Sequence, residues 1–432
     1  MDVRRDDSPP VPATDAASRS GTEADSQTRL KRALGLSDIV LFGVGGIVGA
    51  GIYAIIGEAA ASGGNLLWLS FLIAAAVAFF TALSYAELVS RFPDAGGSFE
   101  YVKQAFGLRV ATIASAFMLF TGVVAAGAIA ISFSSYFSRL VDVPSTVMTL
   151  AVIVTMGVVN ALGAAQASWF NKLATAVTLL GLASVVVVAA PDMLSVDLLD
   201  AQGADVLGIG VGSALIFFSF IGFEDLVKMA EETEEPETTM PRGILISAAI
   251  VLVVYLLVAV AAVAALGPDR LAESNGPLAE ILQDKAGALW ATAIVAVALF
   301  ATSKTILSNL LGSSRLLYDV GRDAGIGWLK RVTAVHDRTQ TPIMAIAAVT
   351  ALALGFGAIG NLRIVAAASN VLIMLVFLLV NAALLRIRAV SDDSAPFTIP
   401  MSIGNYPIAT VLAILGVVCL LALNVVALAG IR

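Results

Sequence analysis

Two ionisable side chains stand in otherwise apolar stretches: Lys304 in LFATSKTILSNLLGSSR and Glu224 in FIGFEDLVK. A lysine at hydrocarbon depth costs on the order of 2.5–3.5 kcal/mol on insertion scales, so such a side chain faces a protein interior or a cavity. There it acts as a fixed positive charge or a proton carrier; the structural alternatives are a lysine held by carbonyls or a carboxylate, or one that snorkels. Glu224 suits a proton acceptor, and equally a hydrogen-bonding partner for the irregular backbone beside it. Thr302, Thr305 and Asn309 fall on one side of the Lys304 helix by 3.6-residue spacing. They fit an ion or substrate site, or polar contacts between helices.

The elements that must position these groups contain unusual glycines. GVGGIVGAGIY, from Gly43 to Tyr53, places five glycines in nine residues inside an apolar run. Each costs about 1 kcal/mol relative to alanine in a helix. One physical gain is close helix approach, for which Gly45 and Gly49 have small-xxx-small spacing. The other is an interrupted helix whose freed amides point at an anionic group. Five spans later, IFFSFIGFEDLVKMAEETEEPETTMPRGI breaks an aromatic-rich run at Ser219 and Gly222. Two interrupted spans at corresponding places in successive halves point to a transporter built from inverted repeats.

Composition sets the solvent. The chain is 59% hydrophobic and 13% charged, with a mean hydropathy of +0.93, against roughly 25% charged for a soluble domain. Charge-free windows long enough to cross about 30 Å of hydrocarbon recur at 39–57, 59–86, 110–138, 143–171, 173–191, 206–223, 243–268, 286–303, 339–362, 364–385 and 394–431. Their continuous apolarity excludes barrel strands, so the expected class is an all-α integral membrane protein with about eleven spans.

Residues 1–28 read as a disordered tail without the apolar segment of a signal peptide. Residues 29–390 read as a ten-helix core with repeats at about 36–191 and 206–388, and 391–432 as one additional helix. With the N-terminus in the cytoplasm, sixteen Lys and Arg lie inside and five outside. The C-terminus is then external, and a multi-pass protein of the cell membrane is expected.

The acidic balance, with a pI near 4.9, reads as a solvated surface, and no basic stripe suits a nucleic acid. One cysteine, Cys419, and one histidine, His336, leave no basis for a disulfide, a metal site, a cofactor or a Ser/His pair. No enzymatic chemistry is expected. A channel would show polar rings along several spans; a sensor of amino acids on the same architecture stays open as the reading of another class.

The residues also carry a resemblance. GVGGIVGAGIYAIIGEAA resembles the first-helix signature of the amino acid–polyamine–organocation transporters. SYAELVSRFPDAGGSFEYVKQAFG resembles their second-helix end and following loop, FFSFIGFEDLVKMAEETEEPETTMPRGI their sixth helix, and SSRLLYDVGRDAGI the end of their eighth. The wording at FIGFED is closest to the cationic amino acid transporter branch. The resemblance implies the leucine-transporter-type fold, with five-helix inverted repeats and discontinuous helices 1 and 6, and secondary transport of an amino acid or related amine, by symport or exchange.

By resemblance, Gly49, Ala50, Gly51 and Ile52 match the unwound segment whose backbone binds a substrate carboxylate. Phe218, Ser219, Ile221 and Gly222 match the sixth-helix break that receives the amino group. Many proton-coupled members carry a helix-5 lysine where this chain has Thr178. Lys304, with Thr305 and Glu224, is the expected replacement for a coupling cation or the relay of a coupling proton. The family usually has twelve helices, one more than here. Gly45, Ala50, Ile52, Phe218 and Ile221 would make a small, apolar pocket, which favours a neutral amino acid over a cationic one or a polyamine. Glu87 and Asp94, at the end of helix 2, suit solvated or salt-bridging roles. The oligomeric state is left open.

Overall fold

The computed structural model describes residues 32–93, 97–163, 168–201, 205–323, 334–336, 341–391 and 395–429. The expected tail at 1–28 and Asp94 lie outside the described residues.

A broken helix opens the core: α1 (Leu36–Ile47) and α2 (Gly51–Gly63) are separated by non-helical residues 48–50. After one 3-10 turn the chain reverses into α3 (Leu67–Arg91), followed by the short α4 (Ser98–Phe106) and the long α5 (Leu108–Phe137). Helices α6 (Ser145–Ala161) and α7 (Ser168–Met193) complete the first half. The second half begins with another interruption, α8 (Val206–Ile216) running into 3-10 segments at Phe217–Phe220 and Phe223–Glu232. Then come α9 (Pro236–Glu273), α10 (Pro277–Ala286), α11 (Ala288–Asp323), α12 (Ile343–Gly357) and α13 (Leu362–Val390). A hairpin of β1 (Ser402–Ile403) and β2 (Tyr406–Pro407) precedes α14 (Ile408–Leu428).

Eight described stretches are long and apolar enough to cross a membrane, and Leu36–Ile47, Ser145–Ala161 and Ile343–Gly357 are shorter apolar helices. The apolar window 394–431 becomes helical only at Ile408, because Pro400, Pro407 and positive φ at Met401 and Gly404 hold the preceding stretch in a hairpin. The window 286–303 continues as helix to Asp323, since Lys304 faces the interior cavity rather than ending the helix. Outward faces stay apolar: Leu180, Val187, Leu289 and Val425 are exposed, as a lipid-facing surface requires.

The buried apolar side chains form two clusters. One gathers α1, α3 and α9 around Tyr85, Phe217 and Tyr255; the other gathers α5, α11 and α12 around Val123, Ile129 and Leu310. The interrupted helices supply side chains to both, and Ile221 packs against each. The two packing units therefore meet along the broken helices.

Candidate functional site

The two interruptions lie back to back. A Cβ on Gly51 would stand 2.6 Å from the Cα of Ser219, and one on Gly222 would stand 2.6 Å from the carbonyl oxygen of Gly46. Gly222 also has φ +129°, a region that side-chain-bearing residues rarely adopt. The glycines thus serve both purposes the sequence offered. Gly45 packs against Thr175 of α7 and Gly49 against Thr305 of α11, while the helix between them and Gly51 is interrupted.

Interruption exposes backbone groups of opposite sign. The first bond of α2 runs from the amide of Ala54 to the carbonyl of Ala50, so the amides of Gly51, Ile52 and Tyr53 have no partner within their own helix. They sit at the positive end of a helix dipole and suit an anion. At the end of α1, carbonyls are left for cations and donors. The Lys304 ammonium donates to the Gly45 carbonyl at 3.3 Å, and the Tyr255 hydroxyl reaches the Ile47 carbonyl at 2.9 Å and the Ser219 carbonyl at 3.1 Å.

A cavity of about 360 Å³ adjoins the breaks, at the lower end of the roughly 300–1,000 Å³ of small-molecule sites. Gly45, Gly49, Ala50, Gly51, Phe218, Ile221, Gly222, Glu224, Lys304, Thr305 and Asn309 line it, facing Thr121, Gly122, Ala125 and Ile129 of α5. Asp225, Lys228 and Arg315, which also line it, are exposed. The ion pairs at the far ends of α5, α7 and α9 do not line the cavity: Arg139, just after α5, pairs with Glu280 of α10 at 3.4 Å, Arg270 with Glu280 and Asp284 at 2.7 Å, and Lys285 with Asp192 at 2.8 Å. Partial burial raises the Glu280 carboxyl, but hydrogen bonds from Ser274 and Arg270 and the charges of Arg270 and Arg139 outweigh it and hold it below the usual range.

The polar groups of the cavity are largely engaged. Thr305 accepts the Ala50 amide at 3.3 Å and donates to the Ala301 carbonyl at 2.8 Å. Asn309 donates to the Thr305 carbonyl at 3.1 Å. Glu224, the second residue of the 3-10 run Phe223–Glu232, is buried and accepts the Gly222 amide at 2.8 Å. Asp225 pairs with Lys228 at 2.5 Å.

Three expected site residues lie off the cavity wall. Ile52 is fully buried, Ser219 is buried with its hydroxyl unpartnered, and Thr178 donates to the Ala174 carbonyl within α7 at 2.9 Å. Thr302, too, bonds within its own helix, to the Ala298 carbonyl. Glu87 is not solvated: it is fully buried and accepts from Arg91 at 2.8 Å, from Arg388 and from the Ile399 amide at 2.9 Å. Tyr255 was not singled out from the sequence. A lone tyrosine in the apolar run VLVVYLLVAV was the available signal.

The amino acid permease family model matches residues 34–431. The chain belongs to the amino acid permease family. This amino acid permease is 32% identical to an uncharacterized transporter of Mycobacterium tuberculosis (strain ATCC 25618 / H37Rv), over 86% of this chain and 83% of the relative. It is 28% identical to the vacuolar cationic amino acid transporter 8 of Arabidopsis thaliana, over 89% and 68% of the two chains. It is 26% identical to the branched-chain amino acid permease BcaP of Bacillus subtilis (strain 168), over 84% and 82%. The permease is thus a multi-pass transporter of the amino acid–polyamine–organocation superfamily, with the all-α leucine-transporter-type fold.

Proposed function

We propose that the permease is a secondary active transporter of a neutral, apolar amino acid, working by alternating access with Lys304 in place of a coupling metal cation. The observation that carries this is the Lys304 ammonium on the Gly45 carbonyl, beside amides at the start of α2 and inside the cavity. A zwitterion suits such a site: its carboxylate meets the amides of Gly51 and Ile52, and its ammonium meets carbonyls at the sixth-helix break. Phe218, Ile221, Ala125 and Ile129 offer an apolar seat for the side chain.

Charge supports neutrality. Asp225 is paired with Lys228, and Glu224 accepts the Gly222 amide, so a cationic side chain would find only Glu224 as a counter-charge and would meet the like charge of Lys304 in the same cavity. The name of BcaP agrees with this reading and that of the Arabidopsis relative favours the cationic alternative. With the N-terminus cytoplasmic, the cavity opens inward, and the ion pairs around Glu280 close the outer side. Proton coupling or exchange fits a lysine that gains and loses a proton as the site changes access.

The test is uptake of labelled amino acids into proteoliposomes under imposed proton or sodium gradients, for the native chain and Lys304→Ala. Proton-driven uptake of neutral amino acids that the variant loses or uncouples supports the reading. Uptake of arginine or putrescine in preference to leucine moves the substrate to the cationic class; uptake unaffected by the variant removes Lys304 from coupling. Binding without any movement brings forward a sensor.

A further inference from the structure

Helix α8 ends at Ile216, where the chain passes into the 3-10 turn Phe217–Phe220. Two carbonyls of its last turn are met by side chains from other helices. The amide nitrogen of Asn370 on α13 donates to the Ala214 carbonyl at 2.7 Å and reaches that of Leu215 at 3.4 Å. The amide nitrogen of Asn424 on α14 also reaches the Ala214 carbonyl, at 3.4 Å, while donating to its own Leu420 carbonyl at 3.0 Å. Both asparagines are fully buried. Beside Asn370, the Ser369 hydroxyl donates to the carbonyl of Thr121 at 3.2 Å, on the cavity wall formed by α5.

A buried amide in an apolar span is costly unless it is hydrogen-bonded. Here two such amides converge on one carbonyl, four residues before Phe218, whose side chain lines the cavity. Adjacent residues of α13 therefore hold both the end of α8 and the facing wall, which fixes the spacing across the site.

We propose that Asn370, backed by Asn424, is a positioning residue that holds the sixth-helix break in register with the cavity, and that α14 is thereby part of the transport machinery. The proposal rests on the reading of this cavity as the amino acid site. Removing the Asn370 donor frees the end of α8, so that Phe218 and the carbonyls after it lose their fixed place. Asn424, with the longer contact, has the smaller effect. Because both act on the same carbonyl, their effects are not additive.

The first measurement is hydrogen–deuterium exchange of the purified full chain, native against Asn370→Leu, Asn424→Leu and the double variant. Amides at 217–222 exchange about five- to tenfold faster in Asn370→Leu, as expected for one lost hydrogen bond, while α12 is unchanged. Asn424→Leu shows a smaller acceleration at the same amides, and the double variant shows less than the product of the two. Unchanged exchange at 217–222, or equal acceleration throughout the chain, overturns the proposal. Should Asn370→Leu not fold, the local signature in Asn424→Leu decides. The second measurement is L-leucine counterflow, where KM rises about fivefold with the maximal rate little changed; a fall in rate at constant KM overturns the proposal. No leucine movement by the native chain sinks the substrate reading, and the exchange at 217–222 still decides the positioning role.

Discussion

The hydroxyl of Tyr255 stands 3.1 Å from the carbonyl oxygen of Ser219, and the same proton is shared with Ile47 at 2.9 Å. One side chain of α9 thus ties the break of the first helix to the break of the sixth. With Gly51 seated on Ser219 and Gly222 on Gly46, the two interruptions form one unit.

Tyr255→Phe keeps the buried ring and leaves both carbonyls without this donor. The expected cost is about 1–3 kcal/mol, read as a lower thermal midpoint in detergent and roughly tenfold weaker leucine counterflow. An unaltered midpoint and KM would show that the shared proton is dispensable.

Gly222→Ala has no such room to relax. The added methyl meets the Gly46 backbone, and φ +129° is strained for alanine; each strained backbone centre alone costs on the order of 1–3 kcal/mol. The variant is expected to lose transport, with a reduced yield of monodisperse protein by size-exclusion chromatography. Native-like uptake would mean that the two breaks separate by more than the methyl requires.

Variants of Glu224 separate a hydrogen-bonding partner of the Gly222 amide from a proton carrier. Glu224→Gln retains an oxygen for the Gly222 amide, so gradient-driven uptake is expected to stay within about threefold of native, whereas Glu224→Ala leaves that amide unpaired at a cost of about 1–3 kcal/mol and loses most uptake. Loss of proton coupling in the Gln variant, with leucine binding intact, would make Glu224 the carrier instead.

The Glu280 carboxyl lies below its ordinary value because Ser274, Arg270 and Arg139 favour its ionised form despite partial burial. Its contribution is therefore present above the unfolded value of about 4.3 and lost as pH falls through the lower folded value. The difference in thermal midpoint between native and Glu280→Gln should be constant at neutral pH and shrink below about pH 4. A difference that instead vanishes above pH 6 would contradict this ion-pair assignment.

Much of the architecture was legible because lipid permits few solutions. Long apolar windows at 110–138, 243–268 and 364–385 have to be helices, and α5, α9 and α13 occupy them. Boundaries that depend on local backbone were less legible. The window 394–431 contains a hairpin, and the turn after α2 falls at Gly64–Leu66, beyond the break between windows at residue 58. There apolar composition is the same on both sides of a turn, so hydropathy carries no signal.

The sequence by itself determined the solvent, the helical class, the two interruptions and the odd lysine, because each is a local departure from what hydrocarbon tolerates. Only the tertiary structure decided which groups meet. Lys304 and Gly45 are 259 residues apart and joined at 3.3 Å. Thr178 stands where many family members carry a lysine and turns its hydroxyl to its own helix, and Tyr255, Asn370 and Asn424 gain their meaning only from the carbonyls they reach. Periodicity reports which face of a helix is apolar. It does not report which carbonyl, freed at a distant break, lies within 3 Å of a given donor, and that distance is set by packing between the two clusters.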